Sequence, residues 1–292
     1  MNSEYPLVSM ITPAYNTSEF LDALIQSVLG QTYRNIEYIV IDDGSVDDGK
    51  TVEILRKYPT LVCWSRENKG QYFTVNEGLR RARGEIVCII SADDRLKPEA
   101  VAEAVKFLVR HPSYDGVYGK TAYIDSKGRP IPNRYPYVIN FFPVSAYLHW
   151  QPFVPKIEHC SLYLRKAVIE KHQLFFDLNY RYTSDLDWII RMRQKGLRMK
   201  GLNLELSEYR HHDRQLSKIN HGIMVEEHKL ILKVNNINWL SYKIHIAIYA
   251  VYLVVAKSGY VLWRWGPRVT LQYFLRKMKI LVGKSIIHFT KK

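Results

Sequence analysis

The chain has 292 residues, 47% hydrophobic and 24% charged, which is typical of a globular protein with a large core. Its formal net charge of +14 is unevenly placed, because residues 241–292 contain ten Lys and Arg and no Asp or Glu. Three cysteines without a CxxC spacing exclude a disulfide framework and a simple zinc site, and the amino terminus does not resemble a secretory signal. We therefore expect a cytoplasmic protein whose unusual charge belongs to its tail.

Short apolar runs alternate with amphipathic helices over the first 110 residues. This alternation predicts a βαβ series, and therefore an α/β fold with a mainly parallel sheet. The strands are predicted at 7–12, 36–41, 61–65 and 86–90. The helices are predicted from a cap at Thr17 or Ser18, from 45–48 to about 57, at 70–82 and at 99–110.

Two pairs of carboxylates follow two of these strands, Asp42-Asp43 after the second and Asp93-Asp94 after the fourth. Right-handed crossovers bring the carboxyl ends of parallel strands to one edge, where open α/β sheets bind ligands. Carboxylates there would repel a diphosphate unless a hard cation such as Mg²⁺ or Mn²⁺ lay between them. The alternative is a pair of ordinary surface turns. The absence of GxGxxG and GxxxxGK[ST] motifs argues against a dinucleotide fold and a P-loop.

Seven segments occur in order and with plausible spacing across residues 6–217. They are TPAYN (12–16), IDDGSVDDG (41–49), NKGQYFTVNEGL (68–79), SADD (91–94), IEHCSLYLRKAV (157–168), SDLDWIIRM (184–192) and YRHHDRQLS (209–217). This set resembles the inverting nucleotide-sugar glycosyltransferases of family 2; any one segment is a weak signal, whereas the ordered set is specific. Within that family, the TPAYN and IEHCS stretches are similar to the spore-coat-polysaccharide type and to cell-surface polysaccharide glycosyltransferases.

The resemblance implies the GT-A fold and assigns donor-binding roles at the sheet edge. Tyr15 would stack on the nucleotide base, with Pro13 and Ala14 offering backbone contacts. Asp43 would accept a hydrogen bond from the base, and Asp93 would hold the ribose. For Tyr15 a packed aromatic residue after a strand is the competing interpretation.

The resemblance also implies a divalent cation, Mn²⁺ or Mg²⁺, that bridges the diphosphate. Asp94 would be its carboxylate ligand, and His212 a further ligand or a contact of the leaving group. His211 is adjacent, and the sequence does not decide between the two histidines.

The acceptor side is expected after residue 126. Glu158 and His159 lie in the segment that the family places beside the acceptor and the transferred sugar. Residues 130–155 are rich in proline and aromatic residues, and either line the acceptor cleft or fill the core.

The resemblance makes Asp185 the general base. Many relatives have Glu-Asp at this point, whereas this chain has Ser184 before the Asp, which leaves the base assignment intact. A helix cap is the competing interpretation of Asp185. Asp187 and Arg191 are spaced i, i+4 on the predicted helix, which favours an internal ion pair.

The tail combines an apolar run at 246–256, too short to span a bilayer, with a segment at 261–282 that mixes Trp, Phe and Leu with Lys and Arg. This pattern favours a helix lying in an anionic membrane surface, broken near Pro267. Packing against the catalytic domain and nucleic-acid binding are the alternatives, and the scarcity of uncharged polar residues argues against nucleic acid.

The sequence therefore predicts a metal-dependent, inverting glycosyltransferase of the hexosyltransferase type, acting in polysaccharide or glycolipid assembly at the inner face of the cell membrane. The donor would be a nucleotide-diphosphate sugar, and the acceptor a saccharide or a lipid-linked hydroxyl. A GT-A catalytic domain at 1–220, with a donor half at 1–125 and an acceptor half at 126–220, would precede a basic helical region at 221–292. The alternatives are an inactive nucleotide-sugar-binding scaffold and a sugar nucleotidyltransferase.

Overall fold

The computed structural model describes residues 5–131 and 159–236. The chain divides into two compact units, residues 1–151 with 155–231 and residues 152–154 with 232–292. The predicted tail helices at 246–256 and 261–282 lie outside the described residues, as does most of the loop at 130–155. The predicted domain boundary at residue 220 stays a prediction.

The first unit is built on an eight-stranded sheet in the order β3-β2-β1-β4-β7-β6-β8-β5. Strands β1 to β4 pair in parallel, β7 is antiparallel to both β4 and β6, β8 is parallel to β6, and β5 is antiparallel to β8. The expected mixed, mainly parallel sheet is confirmed. The strands are β1 Val8–Ala14, β2 Ile36–Asp42, β3 Val62–Ser65, β4 Ile86–Ile89, β5 Arg95–Leu96, β6 Gly116–Asp125, β7 Leu162–Arg165 and β8 Met199–His211.

Helices flank this sheet because each buries one apolar face against it. In α1 the residues at helical spacing, including Leu21, Leu24 and Ile25, are fully buried, as are Val101 and Leu108 in α4. None of the described helices is both long and apolar enough to cross a membrane. The helices are α1 Ser18–Leu29, α2 Lys50–Arg56, α3 Gln71–Arg81, α4 Ala100–Arg110, α5 Lys166–His172, α6 Ser184–Gln194, α7 Leu216–Ile219 and α8 His221–Val234.

One helix start agrees with the prediction and one differs. Helix α1 begins at Ser18 with Thr17 as its N-cap, as predicted, although the Thr17 side chain makes no capping hydrogen bond. Helix α2 begins at Lys50 rather than at 45–48, because Asp48 and Gly49 have positive φ angles of 57° and 78°. The Asp47 carboxylate then accepts the N–H and the hydroxyl of Thr51, at 3.2 and 2.7 Å.

Strands β7 and β8 were not predicted. Strand β8 extends to His211, so the first part of the 209–217 segment is sheet rather than loop. Leu202, Leu204 and Leu206 alternate with Asn203 and Glu205, so the sequence carried a period-two signal for this strand that the prediction missed.

The side chain of Asn76, on α3, ties the first half of the unit to the second. Its amide nitrogen donates to the Phe176 carbonyl and its oxygen accepts the Phe176 N–H, both at 2.8 Å and both buried. The Phe176 ring stacks on Tyr72 of α3 and on Trp188 of α6, with centroids 5.2 and 4.5 Å apart. Helix α6 is thereby held against α3.

We expect Asn76→Ala to lower the free energy of unfolding by about 1–3 kcal/mol, because two buried backbone groups of Phe176 would lose their partner. Urea denaturation measures the change. The matched control is Asn68→Ala, whose side chain is exposed and whose change should stay within about 0.5 kcal/mol. Equal destabilisation by both variants would contradict the assignment.

Candidate functional site

The loops after β1 and β2 meet at the carboxyl edge of the sheet, as the parallel arrangement predicts. Ala14, at the end of β1, is fully buried, and its carbonyl accepts the N–H of Asp43 at 2.8 Å. Pro13 is half-buried, and Tyr15 has 45% of its surface exposed. The ring of Tyr15 is therefore accessible at this edge. The alternative, a ring packed in the core, would require Tyr15 to be buried.

Asn16 joins the loop after β1 to the loop after β2 by two hydrogen bonds. Its N–H donates to the Ser45 hydroxyl at 2.9 Å, and its side-chain oxygen accepts the N–H of Val46 at 2.8 Å. Asn16 itself adopts a left-handed φ of 52°, which asparagine tolerates better than most residues. The chain directly after Tyr15 is consequently tied to the loop after β2.

The Asp43 carboxylate is 2% exposed and binds three donors of the loop that follows β3. The Arg66 guanidinium and the Lys69 N–H donate to Oδ1, the latter at 2.8 Å, and the Gly70 N–H donates to Oδ2 at 2.9 Å. Gly70 has a φ of +89°, which explains a glycine at the start of α3. Asp43 thus anchors α3, and only its Oδ2 keeps acceptor capacity for a further donor such as a base N–H.

Asp93 and Asp94 lie beyond β4, in the corner that leads to β5. Asp94 is fully buried, and its Oδ1 accepts the N–H of Arg210 at 3.0 Å. The side chain of Asp93 is 25% exposed. The two carboxylates therefore differ in environment, with Asp93 the more accessible.

Arg210 holds this corner, a role that the sequence did not reveal. Its side chain is buried and donates to the carbonyls of Asp93, Asp125 and Ser126, at 2.7, 3.4 and 3.2 Å. The guanidinium also lies 4.9 Å from the centroid of the Phe20 ring. Burial, and then the nearby Arg95, lower the pKa of Arg210, but from an ordinary value far above neutrality.

The two histidines after Arg210 face different environments. The Nε2 of His212 lies 2.9 Å from Asp93 Oδ2, and because a carboxylate accepts only, Nε2 carries the hydrogen in this bond. The His212 ring also packs 4.7 Å from Phe20. His211 instead stacks on Tyr123 at 5.5 Å. Of the two, His212 is the one that approaches the carboxylate pair.

The side chains at this corner suit a divalent cation whose remaining coordination positions are filled by phosphate oxygens. Within residues 5–131 and 159–236, no three His, Cys, Asp or Glu side chains form a metal site by themselves. Mg²⁺ and similar ions commonly take one or two protein carboxylates and fill the remaining positions with substrate phosphates and water. An imidazole can replace its Nε2 hydrogen by a metal once Nδ1 carries the proton, and Nδ1 of His212 makes no hydrogen bond with the described residues.

His159 reaches the same edge from the acceptor side. Its Nε2 lies 2.9 Å from the hydroxyl of Ser91, three residues before Asp94. The short 3₁₀ turn His159–Ser161 places it there, and the buried hydroxyl of Ser161 donates to the Gly119 carbonyl at 3.0 Å. Glu158 lies outside the described residues.

Asp185 lies in the first turn of α6 and is half-buried. Its Oδ1 accepts the hydroxyl of Tyr72 at 3.3 Å and the N–H of Leu186 at 2.9 Å. Burial, and then the Asp185 charge, raise the pKa of Tyr72 well above its usual value, so the phenol remains a donor. The N-cap of α6 is Thr183, so Asp185 is not the cap that the competing interpretation required.

Asp187 has a structural role. Its Oδ2 accepts the Nε–H of Arg191 at 2.6 Å, and the same guanidinium donates to the Phe175 carbonyl at 2.7 Å. The predicted i, i+4 ion pair is confirmed.

Comparison with known proteins agrees with this geometry. The profile of Glycosyl transferase family 2 matches residues 9–171. A Rickettsia typhi protein described as an uncharacterized glycosyltransferase is 33% identical over 196 residues, covering 64% of this chain and 58% of that protein. One from Haemophilus influenzae is 28% identical, covering 98% and 91%. The putative teichuronic acid biosynthesis glycosyltransferase TuaG of Bacillus subtilis is 33% identical over 114 residues, covering 37% and 44%.

Several of these relatives are matched over only part of their length. The match covers 22% of a Rickettsia felis glycosyltransferase and, as given above, 58% of the R. typhi protein. The chain thus spans less than two thirds of several of the curated relatives that it matches.

Solved structures share the GT-A glycosyltransferase architecture. Staphylococcus aureus TarS with UDP-GlcNAc superposes with a TM-score of 0.60 at 16% identity, covering 94% of this chain and 80% of TarS. A mannosyltransferase from Pyrobaculum calidifontis with GDP-Man and Mn²⁺ gives 0.59 at 17% identity, covering 98% and 81%. At these identities the likeness establishes the fold.

We expect Arg210→Gln to lower the free energy of unfolding by about 1–3 kcal/mol, since buried carbonyls of the Asp93 corner would lose their donor. Chemical denaturation of the full chain measures the effect. Arg214→Gln is the control, because that arginine pairs with Glu19 at the exposed surface, where an ion pair contributes about 0–1 kcal/mol. A loss no larger than the control's would contradict the role given to Arg210.

Proposed function

Because this chain belongs to glycosyltransferase family 2, we propose that it moves a sugar from a nucleotide-diphosphate sugar to a hydroxyl acceptor, with inversion at the anomeric carbon. The observation that carries the proposal is the convergence at one sheet edge of an exposed aromatic ring, Tyr15, with the carboxylates of Asp43, Asp93 and Asp94. Asp185 is linked to this edge through Tyr72 of α3. The carboxylates of Asp43, Asp94 and Asp185 each accept at least one backbone N–H, which fixes their positions.

The donor would bind along the carboxyl edge of β1, β2 and β4. Tyr15 offers an apolar face for the base, and Asp43 keeps one acceptor position on Oδ2. The relatives support a nucleotide donor, because TarS and the P. calidifontis enzyme carry UDP-GlcNAc and GDP-Man respectively. The donor panel described below identifies the base and the sugar, because likenesses at 16% and 17% identity establish the fold alone.

Asp94 and His212, with Asp93 beside them, are the residues that would hold a divalent cation. When bound, such a cation supplies positive charge against the departing nucleoside diphosphate. Asp93 is the more exposed carboxylate and contacts His212, whereas the family resemblance assigns Asp94 to the cation and Asp93 to the ribose.

Asp185 would act as the general base. The acceptor hydroxyl oxygen forms a bond to the anomeric carbon on the face opposite the diphosphate, while the bond from that carbon to the diphosphate oxygen breaks and its electron pair leaves on the diphosphate. The hydroxyl proton passes to the Asp185 carboxylate. The hydroxyl of Tyr72, which donates to Oδ1, orients the carboxylate and leaves Oδ2 to receive the proton.

We also propose an acceptor contact and a cellular location for this protein. His159 lies beside Ser91 at the same edge and would contact the acceptor or the transferred sugar. TuaG is described as a teichuronic acid biosynthesis enzyme, which supports a role in cell-surface polysaccharide assembly. The basic tail, with its Trp, Phe and Leu, supports attachment to an anionic membrane surface and hence a lipid-linked acceptor.

The function is tested by incubating the purified full chain with a panel of UDP-, GDP- and dTDP-sugars, with Mn²⁺ or with EDTA. Lipid extract from a bacterial envelope serves as the acceptor source, and release of nucleoside diphosphate is measured. We expect release from one class of donor, stimulated by the extract. No release from any donor would indicate an inactive scaffold, and release of pyrophosphate from a nucleoside triphosphate and a sugar phosphate would indicate a nucleotidyltransferase.

Asp185→Asn should lower the transfer rate by at least about a hundredfold while leaving nucleotide affinity within about twofold, because the amide cannot accept the proton. Rates and the dissociation constants of UDP and GDP are measured in parallel. Asp177→Asn, in the loop before α6, is the control and should transfer normally. Near-normal transfer by Asp185→Asn would rule out this base.

We expect the unmodified protein to bind UDP and GDP more tightly with Mn²⁺ than with EDTA. Asp94→Asn should remove this difference, because it halves the negative charge that Asp93 and Asp94 together offer to the cation. Asp93→Asn should weaken binding in both conditions. Isothermal titration of each variant distinguishes the two roles. If only Asp93→Asn abolishes the Mn²⁺ effect, the cation ligand is Asp93 and the assignment is reversed.

A further inference from the structure

Glu227, on α8, binds the segment that leads into α6. Its Oε1 accepts the N–H of Arg181 at 2.7 Å, and its Oε2 accepts the N–H of Tyr182 at 3.0 Å and the hydroxyl of Thr183 at 2.9 Å. Three consecutive residues immediately before α6 therefore donate to one carboxylate. Hydrogen bonds to a charged acceptor are shorter and stronger than those between neutral groups.

This carboxylate binds the hydroxyl that would ordinarily cap α6. Thr183 occupies the N-cap position, yet its side chain makes no capping bond, because its hydroxyl donates to Glu227. The N-terminal end of a helix carries partial positive charge, so an anion placed there is favourable. The position at which α6 begins, and with it the position of Asp185 two residues after Thr183, is consequently set from α8.

The next residue of α8 also lies near Asp185. Burial lowers the pKa of His228, and the charges of Asp185 and then Glu227 act in the opposite direction. Asp185 itself is half-buried and accepts the hydroxyl of Tyr72 from α3. Helix α8 lies beyond the residues that the family profile matches, and beyond residue 220, where the sequence predicted the catalytic domain to end.

We propose that Glu227 is a positioning residue for Asp185, and that α8 is therefore part of the catalytic apparatus rather than a connector to the tail. The inference rests on the proposed function, in which Asp185 is the base. Glu227 does not touch the reacting atoms. It acts by fixing the backbone at 181–183 so that the Asp185 carboxylate meets the acceptor hydroxyl at the angle that proton transfer requires.

The test compares Glu227→Gln with Glu226→Gln in the full chain. Glutamine has the same shape, but its amide nitrogen would face backbone N–H groups and could not accept from them. Glu226 is the neighbouring, exposed residue of the same helix and pairs only with Lys229 among the described residues. For each variant, kcat and the KM of the active sugar nucleotide are measured, together with UDP and GDP affinity and the unfolding midpoint.

We expect Glu227→Gln to lower kcat roughly ten- to hundredfold, because a displacement of about 1 Å at a catalytic group has effects of this size. The KM for the donor and nucleotide affinity should remain within about twofold, and Glu226→Gln should behave as the unmodified protein. A lowered unfolding midpoint with unchanged kcat would overturn the inference in favour of a purely structural role. An equal loss of nucleotide affinity and kcat would overturn it as well, since it would indicate general distortion.

A second pair of variants covers the case in which Glu227→Gln does not fold. Thr183→Val removes the hydroxyl that donates to Glu227, and Thr183→Ser keeps it. We expect a lowered kcat for Thr183→Val and a rate close to that of the unmodified protein for Thr183→Ser. Equal rates for the two would overturn the inference.

Asp185→Asn in the same assay separates the two proposals. If Asp185→Asn is inactive and Glu227→Gln is fully active, only the positioning role of Glu227 fails. If Asp185→Asn remains active, the assignment of the base fails, and the role of Glu227 fails with it.

Discussion

The hydrogen bonds from the Lys69 and Gly70 N–H groups to the Asp43 carboxylate are the constraint on which the proposed site depends. They fix the amino end of α3 to the carboxyl end of β2. Two residues into that helix, the Tyr72 hydroxyl reaches Asp185. A carboxylate at the start of a helix is stabilised by the helix dipole, so the anchor is favourable in itself. The nucleotide side of the edge and the candidate base are thereby joined through one short, rigid segment.

Two further side chains support the proposed site. Arg210 binds the carbonyls of the Asp93 corner, and Glu227 binds the turn before α6. Each is a charged side chain that provides hydrogen-bond partners for several backbone groups. The groups proposed to touch the donor, the cation or the acceptor include the partly exposed Tyr15, Asp93 and Asp185 and the buried carboxylates of Asp43 and Asp94. Arg210 and Glu227 are proposed to set the geometry of these groups without touching substrate.

The sequence predicted the parts of this arrangement that depend on local pattern. The alternation of strands and helices placed Asp43 and Asp93 at one sheet edge, and the spacing of Asp187 and Arg191 predicted their ion pair. What it missed depends on contacts between distant segments: Glu227 lies more than forty residues from the turn that it binds. Arg210 lies in a recognised segment, but no neighbouring residue indicated a buried guanidinium. The strand that carries it could have been predicted from the alternation of Leu202, Leu204 and Leu206 with polar residues. The roles of Asp43, Asp94 and Asp185 toward substrate came from resemblance, and they stay predictions.

The central claim is a single displacement in which one carboxylate, Asp185, deprotonates the acceptor while the diphosphate leaves from the opposite face. The stereochemistry of the product tests this claim most directly. Proton NMR of the newly formed glycoside, started from an α-linked nucleotide sugar, should show only the β anomer, because one displacement inverts the anomeric carbon. An α-linked product would require two displacements or attack from the same face, and would contradict the account.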